Sequence, residues 1–209
     1  MERPGTEART LAEELGIKLF KDRIVFLAGE VDQQSALDVK LQLLYLESKD
    51  PKQDIFLFVD SYGGSVSHGL SLYDTMNFIS CDVWTICFGV AMSMGAFLLS
   101  GGTRGKRVCF PNAVVMIHQP LMGVPGEGMM QSTEWQIQAK SIAASRERLN
   151  QIMAQHTGQT SERIDQDTER DHYMTAQDAL EYGIVDVVAA TRADLERFAE
   201  TTGSAGDRR

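Results

Sequence analysis

Acyl transfer by a serine needs a nucleophilic hydroxyl, a base to take its proton, a group that orients the base, and N–H donors for the oxyanion. Ser93 is the candidate nucleophile, the one hydroxyl in the apolar run Gly89-Val90-Ala91-Met92-Ser93-Met94-Gly95-Ala96-Phe97-Leu98-Leu99. A strand-like run, residues 83–88, precedes it, and helix formers follow. A strand that turns into a helix at a serine flanked by small residues exposes Oγ and aims freed N–H groups at one point. The same residues also suit a tight helix packing contact. Oxyanion donors could be the Met94 N–H and an N–H from Gly63-Gly64, where the missing Cβ lets backbone approach a ligand.

The base must be one of four histidines, His68, His118, His156 and His172. His118 ends the apolar run Val114-Val115-Met116-Ile117, where a polar ring is either hydrogen-bonded structure or part of a site. His68 and His156 sit in polar helical settings. His172 follows Asp171 directly, and neighbours on a strand point to opposite faces, so those two are poor partners. For the orienting carboxylate, Asp165, Asp167, Glu169 and Asp171 crowd together. The first three belong to a charged helical stretch that reads as a solvated face. Asp171 stands where that stretch gives way to Tyr173-Met174, and it is preferred. The resulting order Ser…His…Asp, and the absence of G-x-S-x-G around Ser93, disfavour an ordinary α/β-hydrolase.

These residues need elements to hold them. Strands are expected over 23–27, 54–60, 83–88, 107–110, 113–118 and 184–188. Helices are expected from Asp32 or Ser35 to 48, over 67–79, 92–99 and 133–156, from Thr160 or Ser161 to 170, and over 176–182. In the first of these helices, Leu37, Leu41, Leu44 and Tyr45 share one face. Thr175-x-x-Asp178 resembles a capping box with Asp in place of Glu/Gln, and Gly183 is its stop. Strands alternating with helices make the chain α/β.

Composition bounds the rest. The 209 residues, 43% hydrophobic and 23% charged, suit one globular domain with a real core. A net charge of −9 argues against binding nucleic acid through phosphates. No apolar run reaches the ~18–20 residues of a membrane span, and the first residues carry no secretory-signal core. Cys81, Cys87 and Cys109 lack metal-site spacing and sit among apolar residues, as reduced buried thiols of a reducing, cytoplasmic compartment do.

Several segments together carry a family resemblance. Val25-Phe26-Leu27, Ser61-x-Gly63-Gly64, Tyr73-Asp74-Thr75-Met76 and Ala91-x-Ser93-Met94-Gly95-Ala96-Phe97-Leu98-Leu99 resemble the proteolytic subunit of the Clp protease, the ClpP family. So do Gly105-Lys106-Arg107, Met116-Ile117-His118-Gln119-Pro120, His156-Thr157-Gly158, Asp167-Thr168-Glu169-Arg170-Asp171 and Glu181-Tyr182-Gly183-Ile184-Val185-Asp186. The resemblance covers roughly residues 17–190. It implies Ser93 as nucleophile, His118 as base and Asp171 as acid, with the oxyanion N–H groups on Gly64 and Met94. It implies the ClpP/crotonase-like β/α spiral with a protruding helix–strand handle, residues 133–156 being the handle helix. The corresponding division is a polar N-terminal segment 1–16, a serine peptidase domain 17–192 and a polar, disordered tail 193–209.

The same resemblance implies a tetradecamer of two stacked seven-membered rings enclosing the active sites. An AAA+ ATPase would feed unfolded protein into the chamber, and the subunit itself would need neither metal nor nucleotide cofactor. Phe56, Phe58, Phe78, Phe88 and Phe110 would form clefts that receive the ATPase, although in a monomer they would be core. Arg170 would face the opposite ring, with Glu169 as a candidate partner. Departures from the family pattern are Tyr62 for the usual Pro, which implies a looser turn before Gly63, Met92 for a small residue, a longer 119–131 segment, and no apolar gate segment at the N-terminus. Two alternatives remain, a non-catalytic paralogue within a mixed ring and a crotonase-fold acyl-CoA enzyme. The first would lack triad members, and the second would not use Ser93, His118 and Asp171 together.

Overall fold

A computed structural model describes residues 10–123 and 131–203. The chain begins with helix α1 (Leu11–Lys21), capped by Thr10 and Glu13 in a reciprocal capping box. It then alternates: β1 (Ile24–Val31), α2 (Gln33–Lys49), β2 (Ile55–Gly64), α3 (Val66–Phe78), β3 (Val83–Met92), α4 (Met94–Ser100), β4 (Arg107–Cys109) and β5 (Val114–Ile117). The long α5 (Ser132–Thr157) leads to α6 (Ser161–Asp167), β6 (His172–Thr175), α7 (Ala176–Tyr182), β7 (Val187–Val188) and α8 (Arg192–Gly203).

Strands β1-β2-β3-β4-β7 pair in that order, all parallel. Their odd positions, such as Ile55, Leu57 and Val59 of β2, are buried against the helices, as a sheet covered by crossover helices requires. Strand β3 forks. Its first part, Thr85 to Cys87, pairs with β4, and its last part, Val90 to Met92, pairs with β5. Strand β6 adds to β5 antiparallel. The fork carries the ends of β3, β5 and β6 to one place.

Helix α2 keeps Leu37, Leu41, Leu44 and Tyr45 on one face, but that face points outward and the sheet buries Ala36, Val39, Leu43 and Leu46 instead, and three further expectations change. The helix carries two apolar stripes, and the sheet takes the other one. Helix α1 runs through the boundary drawn at residue 16. The tail expected from 193 carries α8, started by reciprocal bonds between Thr191 and Asp194 and pinned by Leu195 against Trp84 and Ile86. The turn before Gly63 is not loosened by Tyr62, because Ser61 Oγ donates to Gly29 O at 2.5 Å and accepts from Gly63 N at 3.1 Å. Of the 119–131 segment, residues 124–130 lie outside the described residues.

The first part of α5, through residue 141, is largely exposed, including Trp135 and Ile137. Its 26 residues span ~39 Å. Among the described residues, no helix is long and apolar enough to cross a membrane.

Candidate active site

The helix expected from Met92 starts at Met94, because β3 continues to Met92 and Ser93 is the corner between them. Ser93 has φ 54° and ψ −121°. A non-glycine residue there costs on the order of 1–3 kcal/mol and is kept only where its surroundings enforce it. The enforcement is visible. Ser93 N donates to Met116 O at 2.8 Å, and Ser93 O accepts from Phe97 N in the first turn of α4. The side chain makes no cap bond to its own helix. Its Oγ lies 2.7 Å from His118 Nε2 instead.

Register explains the meeting. Strands β3 and β5 run parallel with Met92 beside Met116, so His118, one residue past β5, comes level with the Ser93 corner. Strands β5 and β6 run antiparallel with Ile117 opposite His172, which makes His118 and Asp171 the next facing pair. His118 Nδ1 stands 3.3 Å from Asp171 Oδ1, with the histidine side chain 16% exposed and the aspartate 55%. The contact is not an aligned hydrogen bond. A row of hydroxyl, imidazole and carboxylate in this order can move a proton off the serine and stabilise the resulting imidazolium.

The other carboxylates are engaged elsewhere. Asp165 takes Arg146 Nε at 2.8 Å and Asn150 Nδ2 at 2.9 Å. Asp167 accepts from Arg163 Nε at 2.5 Å and from the Tyr182 hydroxyl at 2.9 Å. Burial works to raise the Asp167 pKa, but these two bonds and the Arg163 charge outweigh it and hold the carboxyl below its ordinary value. Glu169 accepts from Arg146 Nη2 at 3.0 Å, within its own chain, and Arg170 is exposed. Of the remaining histidines, His156 bonds the Tyr73 hydroxyl at 2.8 Å, and His172 packs near Tyr182.

Gly63 and Gly64 close the other side. In the β1–β2 ladder Val31 faces Gly64, and Val31 O accepts from Ser65 N at 2.7 Å. Gly63 has φ +97°, and a Cβ on it would meet Ser93 Cβ at 2.6 Å and Met92 O at 2.7 Å. A groove of about 640 Å³ runs past Ser93 and His118, walled by Tyr62, Leu70, Leu121 and Met122. Tyr62, 72% exposed, stands on its rim. Sequence reading did not single out Leu70 or Leu121, which carry no chemistry and whose nearness to Ser93 is non-local.

The five phenylalanines are not brought to one place. Phe56, Phe58 and Phe110 line a second groove of about 500 Å³ with Leu19, Ile24 and Leu195. Phe88 stacks edge-on to Phe58 beside it. Phe78, 78% exposed at the end of α3, lies off it.

A parallel α/β sheet whose strand-to-helix corner presents a serine to a histidine defines a serine-hydrolase type of site. A family model described as Clp protease matches residues 8–192. The chain belongs to the Clp protease family, as a proteolytic subunit, and its class is that of serine peptidases.

The crowding at Gly63 predicts a specific sensitivity. Gly63→Ala should lower peptide hydrolysis by on the order of 10², because displacing the serine corner by about 1 Å spoils its alignment. Steady-state kinetics on a short fluorogenic peptide test this. An unchanged kcat/KM would show that the corner tolerates the added methyl.

Proposed function

We propose that Ser93, His118 and Asp171 form the catalytic triad of an endopeptidase that cleaves unfolded polypeptide. The observation that carries this reading is the 2.7 Å contact between Ser93 Oγ and His118 Nε2, with Asp171 behind the ring. Ser93 Oγ attacks the peptide carbonyl while His118 takes its proton. The N–H groups of Gly64 and Met94 stabilise the oxyanion. The proton then passes to the leaving amine, and a water activated by His118 cleaves the acyl ester and regenerates Ser93. Nothing in this cycle calls for a metal or nucleotide on this chain. Incubation with a fluorophosphonate tests it, because only an activated serine labels. Adduct mass on the peptide containing Ser93 is the expected result. Absence of labelling at any pH from 6 to 9 would favour a non-catalytic paralogue or a crotonase-type site.

The assembly belongs to the same proposal. Two stacked seven-membered rings enclose the sites in a cytoplasmic chamber, and an AAA+ ATPase supplies unfolded substrate. The outward stripe of α2 supports lateral packing of copies: Leu37, Leu41, Leu44 and Tyr45 are 41–56% exposed, a largely open apolar face on which Tyr45 meets the Phe20 ring. The groove lined by Phe56, Phe58 and Phe110 supports docking of an apolar loop of the ATPase, with Phe88 beside it and Phe78 supplied by a neighbouring copy. Arg170 is assigned to the ring–ring contact, and its partner there is an acidic group other than the already engaged Glu169. The double substitution Leu41→Glu with Leu44→Glu should leave the chain folded but shift sedimentation velocity to smaller species. An unchanged sedimentation profile would remove the stripe from the interface.

A further inference from the structure

We propose that Arg146 is a positioning residue for the Ser93–His118–Asp171 row, clamping together the two chain segments that carry His118 and Asp171. This rests on the reading of that row as catalytic. Arg146, on α5, donates from Nη1 to Gln119 Oε1 at 3.1 Å and from Nη2 to Glu169 Oε2 at 3.0 Å. Gln119 Nε2 in turn donates to Glu169 O at 3.0 Å. The three residues are thus each bonded to the other two. Gln119 is the residue after His118, and Glu169 is two before Asp171. A backbone bond from Gln119 N to Thr168 O, at 2.7 Å, runs alongside. The guanidinium is itself fixed to α6 by Asp165, through Oδ1 at 2.8 Å and the carbonyl at 3.3 Å.

The row needs such a clamp. Asp171 lies outside β6, has its side chain 55% exposed, and meets His118 at 3.3 Å without an aligned hydrogen bond. Its position is set by where its segment is held, and among the described residues the side-chain bonds from Arg146 and Gln119 to Glu169 hold it closest to Asp171. The guanidinium serves four acceptor atoms on three residues, Asp165, Gln119 and Glu169, one more than the three donors of a lysine ammonium can reach. Neither Arg146 nor Gln119 lines the substrate groove.

The test compares Arg146→Ala, Arg146→Lys, Gln119→Ala and Asp171→Asn with the unaltered protein in its assembled state. Each is measured by sedimentation velocity, by kcat and KM on a short fluorogenic peptide, and by the pH profile of kcat/KM. Arg146→Ala should lower kcat by roughly 10–100-fold with KM little changed. Arg146→Lys should fall between, and Gln119→Ala should show a smaller loss of the same kind while keeping the Arg146–Asp165 pair. The acid limb of the profile reports the protonation of His118, whose ring touches Ser93 and Asp171. The charged groups next out are Arg146, Asp165, Glu169 and Arg170. A displaced Asp171 favours the imidazolium less, so the limb should move to lower pH. Loss of a nearby cation by itself would move it to higher pH. A purely structural defect would lower the active fraction without moving it. If Arg146→Ala disturbs assembly, Gln119→Ala carries the comparison. Unmoved limbs and unaltered kcat in Gln119→Ala or Arg146→Ala, with Asp171→Asn crippled, would overturn the clamp. An unimpaired Asp171→Asn would overturn the reading of the row instead.

Discussion

Ser93→Ala is expected to leave a folded protein with peptide hydrolysis reduced by ~10⁴–10⁶. The change removes one oxygen from a corner that Gly63 already crowds, so no void of consequence is left. The strained backbone at φ 54° stays as it is, because alanine relieves it no better than serine. The Ser93 N–H bond to Met116 O and the first turn of α4 involve no side-chain atom and are retained. Circular dichroism and sedimentation should therefore match the unaltered protein. Measured on enzyme purified free of host protease, undiminished turnover would remove Ser93 from the chemistry.

Asp171→Asn should also cripple turnover, by ~10⁴, because an amide in place of the carboxylate no longer stabilises the imidazolium and favours the wrong tautomer of His118. Asp167→Asn is the informative companion. It lies four residues away, in the same acidic run, and is the more buried carboxylate. Its bonds go to Arg163 and Tyr182 rather than to a histidine. Removing its charge should cost ~0–1 kcal/mol of stability and little activity. The sign with pH follows from its lowered pKa: the stabilisation is present above the ordinary carboxylate pKa and fades as pH falls through the depressed value. Peptide hydrolysis and thermal unfolding of the two variants, measured side by side, separate the roles. A larger activity loss in Asp167→Asn would mean that the orienting acid was misassigned.

The sequence by itself determined the local chemistry and most of the elements. Continuous apolar runs, helix caps and glycine stops are written within a few residues of one another, and they placed β2, α3, α7 and the strand-to-helix corner at Ser93 close to where they stand. Thr175 and Asp178 form the expected reciprocal box, with Asp serving where Glu or Gln is usual. Reading residues one by one also reached His118, since a polar ring closing an apolar strand stands out against its neighbours.

What only the tertiary structure decided is every choice between equivalent local patterns. Four carboxylates lie within seven residues; the sequence could only prefer Asp171, and the antiparallel register of β5 on β6 supplies the physical reason by making Asp171 the residue that faces His118. Helix α2 carries two apolar stripes, and the sheet beneath buries Ala36, Val39, Leu43 and Leu46 while leaving the stronger-looking stripe outside. The polar segment after residue 191 is a helix because Leu195 finds Trp84 and Ile86, far away in the chain. Arg146 reads as one more charge on a polar helix until α6 and the residue after His118 arrive beside it. Periodicity and capping are properties of neighbours in sequence. Register, the choice of buried face and the company a charge keeps depend on segments that meet only when the chain has folded.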